Sequence, residues 1–144
     1  MRHKGSVSQI NLERDKMIHV LFKKAKSLVQ WPTNLMHICE VVAALPAPVF
    51  YISSDTAIVY IRRRYYYNDQ SPLQSKHKQL LYDALFDKFI ELKNNPENRN
   101  RSIPGLVMMA LKSPAPCIGI TPRVIYEIIL KHKKLTRHSK HQKK

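Results

Sequence analysis

The chain carries one passage twice. Leu45-Pro46-Ala47-Pro48-Val49-Phe50-Tyr51-Ile52-Ser53 recurs 68 positions later as Ser113-Pro114-Ala115-Pro116-Cys117-Ile118-Gly119-Ile120-Thr121. A repeat at this distance makes half of the chain the unit of architecture. The correspondence extends on both sides. Asn34 aligns with Ser102 and Ser53 with Thr121, and all four can accept from the free N–H groups of a first helical turn, so each predicts an N-cap. Between the caps, Leu35, Ile38, Cys39 and Val42 align with Ile103, Leu106, Val107 and Ala110. That i, i+3, i+4, i+7 spacing is one apolar helical stripe. After the second cap, Ala57, Tyr60 and Ile61 align with Ile125, Ile128 and Ile129. Upstream the offset falls to 64, with Met17, Leu21, Phe22 and Leu28 opposite Leu81, Leu85, Phe86 and Leu92. The four-residue difference falls in the polar stretch 94–101, where an insertion costs little loop-closure entropy.

Each half therefore reads as three helices, and the chain as all-α: two tandem tri-helical, helix-turn-helix-like repeats packed into one unit. The expected helices cover residues 12–30, 35–45 and 54–65, then 75–93, 103–112 and 122–134. Trp31-Pro32 stops the first, because a residue before proline is pushed out of the helical region. Pro104 and Pro122 fall in first turns, where a missing N–H removes no bond. The organisation predicted is a basic arm over 1–10, repeats over 11–67 and 68–134, and a basic disordered tail over 135–144. Halves of roughly 60 residues are marginal alone, which favours mutual packing.

Several classes of function are disfavoured. With three glycines in 144 residues there is no glycine-rich phosphate loop. The longest apolar run, 41–52, contains two prolines and is too short to span a membrane. No hydrophobic signal region follows Met1-Arg2-His3-Lys4, so a cytoplasmic protein without a membrane partner is expected. Cys39 and Cys117 have no second cysteine at ligand spacing and read as buried free thiols. The seven histidines form no HExxH pattern, and no metal or other cofactor is expected. Asp83, Asp87 and Glu91 make the clearest carboxylate row, read as a solvated helix face. No catalytic constellation or small-molecule substrate site stands out, and the expectation is that the protein is not an enzyme.

Charge points elsewhere. Twenty-five Lys and Arg against ten acids give a net charge of +15, and removing the seven cations of residues 131–144 still leaves +8. An excess in both body and tail predicts a polyanionic partner, because each neutralised phosphate releases condensed counterions. The cations gather where each third helix ends, at Arg62-Arg63-Arg64 before Tyr65-Tyr66-Tyr67, and at Lys131-His132-Lys133-Lys134. Such ends can clamp phosphates while exposed residues before them meet base edges. The candidate nucleic-acid contacts are Thr56, Val59, Arg62, Arg63 and Arg64 in the first copy. In the second they are Arg123, Tyr126, Lys131, Lys133 and Lys134, with Arg137 from the tail.

Two successive helices with a basic second one resemble the helix-turn-helix class, as in tandem Myb-like or homeodomain-like arrays. The connection 46–52 departs from that pattern, being longer than the usual three or four residues. The opening Met1-Arg2-His3-Lys4, the run Asn11-Leu12-Glu13-Arg14-Asp15 and the block from Val41-Val42 through Pro46-Ala47-Pro48 to Phe50-Tyr51-Ile52-Ser53 and Ala57 resemble a group of small basic proteins of gut-dwelling anaerobic bacteria. That resemblance implies the helical pattern and no particular activity. DNA binding is the leading expectation. RNA or ribosome association, and a protein-assembly role with an incidental basic tail, are the alternatives.

Overall fold

Side-chain caps set where the helices begin. A computed structural model describes residues 7–29, 34–73 and 75–131, and over these the chain is all-α. Helix α1 covers Val7–Leu28. Helix α2 (Leu35–Ala44) opens at Asn34, whose Oδ1 accepts from His37 N–H at 2.8 Å. Helix α3 (Ser54–Tyr67) opens at Ser53, whose Oγ accepts from Thr56 N–H at 3.4 Å. Helix α4 (Lys76–Lys93) opens at Ser75, and α5 (Ile103–Leu111) at Ser102, each with the same side-chain-to-N3 bond. Helix α6, described over residues 122–131, opens at Thr121, which accepts from Val124 N–H at 3.4 Å.

Two boundaries differ from expectation. Residues 7–10, read as part of a basic arm, belong to α1, since neither proline nor glycine interrupts the sequence there and an established helix adds turns at little cost. Helix α3 runs on through Tyr66 and Tyr67 to Asn68, which takes the left-handed conformation at φ 51°. There the N–H groups of Asn68 and Asp69 both return to Arg63 O, a common way to satisfy the last carbonyls of a helix. The rest of the arm, the expected helix end at 132–134 and the tail 135–144 lie outside the described residues. The polar stretch 94–101 is anchored as well. It contains a 3-10 turn at Pro96–Asn98, and Asn98, 7% exposed, donates from Nδ2 to Leu92 O and accepts from Arg101 Nε.

Helix α1 packs on α2, and α4 on α5, but α3 seats on α5, a helix of the other half. Ala57 and Ile61 of α3 are fully buried in a cluster shared with Leu106, Val107 and Ala110 of α5 and Leu85 and Phe89 of α4. Tyr60 meets Tyr82 edge-on at 4.9 Å, and Tyr65 meets Phe89 at 5.5 Å. A compact helix-turn-helix packs its two helices on each other across a short turn. Here residues 45–53 separate α2 from α3, and α3 is carried to the opposite half.

The twin Pro-Ala-Pro segments meet at the centre. Proline has no N–H, so each segment offers only its alanine donor, and at 3% exposure that donor needs an acceptor. Ala47 N–H donates to Ala115 O at 3.0 Å and Ala115 N–H donates to Ala47 O at 2.9 Å, an antiparallel bridge between aligned residues. The methyl side chains let the backbones approach this closely. Phe50 N–H adds a further bond to Leu111 O at 3.0 Å.

Candidate nucleic-acid interface

The buried stripe of α3 decides what its other face presents. With Ala57 and Ile61 inward, Asp55, Thr56, Val59, Arg62 and Arg63 are exposed. Neither Arg62 nor Arg63 forms an ion pair among the described residues. The Thr56 hydroxyl accepts from Ser53 Oγ at 2.8 Å, which ties it to the cap.

Arg64, expected as a phosphate contact, behaves differently from its neighbours and is engaged within the fold. One residue is about 100° of helix rotation, and that turns Arg64 towards α4. Its Nη1 donates to Asp83 Oδ1 at 2.7 Å and to Tyr60 Oη at 2.8 Å, and the guanidinium lies 4.3 Å from the centre of the Phe86 ring. Burial works against the Arg64 charge, but the hydrogen bonds to Asp83 and Tyr60 outweigh it, so its pKa is raised. Asp83, read from sequence as part of a solvated row, is this partner, and it also accepts from Gln79 Nε2. Arg64→Ala is expected to cost about 2 kcal/mol in urea unfolding, at the middle of the range for hydrogen bonds to charged groups. The Asp83 side chain is 43% exposed, which keeps the loss below that of a buried pair. Arg62→Ala and Arg63→Ala are expected to leave the midpoint almost unchanged.

The tyrosines divide in the same way. Tyr65 packs edge-on against Phe89 with Lys93 Nζ 5.4 Å from its ring centre, whereas Tyr66 and Tyr67 are 61% and 80% exposed. On α6, Arg123, Val124, Glu127, Leu130 and Lys131 are exposed. Tyr126, expected to face a nucleic acid, is instead half-buried against the core. It directly follows Ile125, which is fully buried. Lys133, Lys134 and Arg137 fall outside the described residues.

An open cleft of about 510 Å³ lies beside the first turns of both α3 and α6. Aligned residues line it in pairs: Ser53 with Thr121, Ile52 with Ile120, Thr56 with Val124 and, at the upstream offset, Arg14 with Lys78. A smaller hollow of about 260 Å³ shares Thr56, Lys78 and Tyr82 with it and continues along Val59 and Arg63. Arg14 donates to Asp15 Oδ1 through Nε and Nη2, at 3.1 and 3.0 Å. The Lys78 ammonium stands 6.0 Å from the Tyr82 ring centre. Burial raises the pKa of the Tyr51 hydroxyl, helped by the field of Glu13, and burial also raises that of Tyr82. Both phenols stay neutral and able to donate at physiological pH.

No family model, curated protein or solved structure matches this chain. Arg14 and Lys78 escaped the sequence reading, although the repeat held a signal for them: each lies on the first helix of its half at equivalent positions. Cys39 and Cys117 are buried free thiols whose pKa values burial raises, and Cys117 Sγ donates to His77 O. Among the described residues no His, Cys, Asp or Glu group is placed to hold a metal ion, and no helix is long and apolar enough to cross a membrane.

Proposed function

We propose that this chain is a non-enzymatic nucleic-acid-binding protein, with duplex DNA preferred over RNA, built as a tandem duplication of a three-helix unit. The observation that carries the reading is the exposed face of α3. Thr56, Val59, Arg62 and Arg63 share it, and its two arginines form no ion pair among the described residues while the adjacent Arg64 is engaged in packing. Aligned positions of α6 are exposed as well. Free guanidinium groups suit phosphate oxygens and guanine edges, and the net charge of +15 supplies long-range attraction.

The test is affinity for a mixed-sequence duplex across a salt series. For the variant R62A/R63A the plot of log K against log salt should be shallower by about two, one for each lost phosphate contact. Its affinity at low salt should fall roughly tenfold or more, with the unfolding midpoint unchanged. Equal slopes and affinities in the folded variant would overturn the assignment of this face. Exposed Tyr66 and Tyr67, beside the arginine pair, favour a second reading in which they stack on unpaired bases. Tighter binding to single-stranded RNA than to duplex at the same salt, lost in Y66A/Y67A, would select it.

A further inference from the structure

The reciprocal Ala47–Ala115 bridge has a geometric consequence. Ala47 donates to and accepts from its own counterpart. A residue can exchange both bonds with its equivalent only across a two-fold axis, as in an isologous dimer interface. Two halves related by a simple translation would pair Ala47 with some other residue. The cleft obeys the same rule, since aligned residues of the two halves face it together. Helices α3 and α6 both start beside this cleft.

We infer that one chain does alone what a two-fold dimer does on DNA: α3 and α6 engage a single duplex together, one half-site each, in inverted orientation. This rests on the DNA reading above. The aligned faces are Thr56 with Val124, Val59 with Glu127, Arg62 with Leu130 and Arg63 with Lys131, and all eight residues are exposed. Arg63 stands nine residues into a helix that starts at Ser54, about 14 Å from the cleft at 1.5 Å per residue. Two such reaches from one axis sum to at most about 28 Å, somewhat less than one duplex turn of about 34 Å. The chemistry of the two faces differs, so the natural target joins two unlike half-sites in inverted order.

Making the faces alike exposes that order. The full chain carrying Val124→Thr, Glu127→Val, Leu130→Arg and Lys131→Arg presents the α3 face on both helices. Random duplexes selected with it should converge on an inverted repeat of one half-site. Scrambling either half should weaken binding roughly tenfold or more. The reciprocal exchange, Thr56→Val, Val59→Glu, Arg62→Leu and Arg63→Lys, should select an inverted repeat of the other half-site, and it serves if the first variant loses its helical circular dichroism. A direct repeat, a lone half-site or no enriched sequence overturns the inverted pair. Absence of salt-sensitive duplex binding by the natural chain overturns the DNA reading itself, so the two failures are distinct.

Discussion

Cut between Gln70 and Ser71, neither piece of this chain should fold alone, and mixing the two should restore the native helices. The expectation follows from where α3 docks. In the piece ending at Gln70, Ala57 and Ile61 lose α5, while Ala47 loses the Ala115 acceptor and Phe50 the Leu111 carbonyl. In the other piece α5 loses the helix that covers it. Ile61, Ala57, Ala47 and Phe50 are each at most 3% exposed in the intact chain. Uncovering apolar side chains of this size costs about 1.5–3 kcal/mol for each of the larger ones. A unit of roughly 70 residues has only a few kcal/mol to lose.

Circular dichroism and thermal melting of each piece, and of an equimolar mixture, give the test. The pieces alone should melt without a cooperative transition at micromolar concentration. The mixture should melt cooperatively, at a temperature that rises with concentration because association is linked to folding. The inferred two-fold relation adds a refinement. Each piece can use a second copy of itself in place of its missing half, so residual helix in a single piece should grow with its own concentration. A piece that melts cooperatively and independently of concentration would show that the halves are separate domains.

Much of the local structure was legible in the sequence because its causes are local. Asn34, Ser53, Ser102 and Thr121 are hydrogen-bond acceptors that precede apolar stripes, and each caps its helix. Ile38, Cys39 and Val42, with their counterparts Leu106, Val107 and Ala110, are buried as the spacing required. What the helices pack on was not legible. A stripe such as Ala57 and Ile61 says that one face is covered and is silent about which helix covers it. The surroundings of the candidate site residues were only partly legible for the same reason, on a finer scale. Arg62, Arg63 and Arg64 are equivalent as letters, and only the position of α4 makes one of them a half-buried partner of Asp83 while two remain exposed. Leu28, aligned with a partly buried Leu92, is 58% exposed at the end of α1.

Gly119→Ala should be among the most damaging single substitutions, although it adds one methyl group at a half-buried position. Gly119 has φ +82°, in the left-handed region where a Cβ meets the carbonyl oxygen at a cost of about 1–2 kcal/mol. The added Cβ would also overlap Leu81 Cδ2 and lie 3.3 Å from Leu81 Cγ. Leu81 is 3% exposed on α4 and is itself hemmed in, so moving it incurs a further overpacking cost of about 1–3 kcal/mol. The combined loss is about 3 kcal/mol. With a urea m-value near 2 kcal/mol per molar, the midpoint should fall by about 1.5 M. The aligned residue in the first half is Tyr51, which carries a side chain at negative φ, so the requirement belongs to the second copy alone and marks where the two halves part. It also reaches the cleft, because Gly119 and Leu81 both line it. Gly105→Ala is the matched control: Gly105 lies in the first turn of α5 without a positive φ, its Cβ would meet only Ser102 Oγ at 3.3 Å, and its midpoint should shift by less than about 1 kcal/mol allows. Equal, small shifts for the two variants would mean that the 117–119 segment yields to Leu81, and that the close approach of the second loop to α4 is not required for the fold.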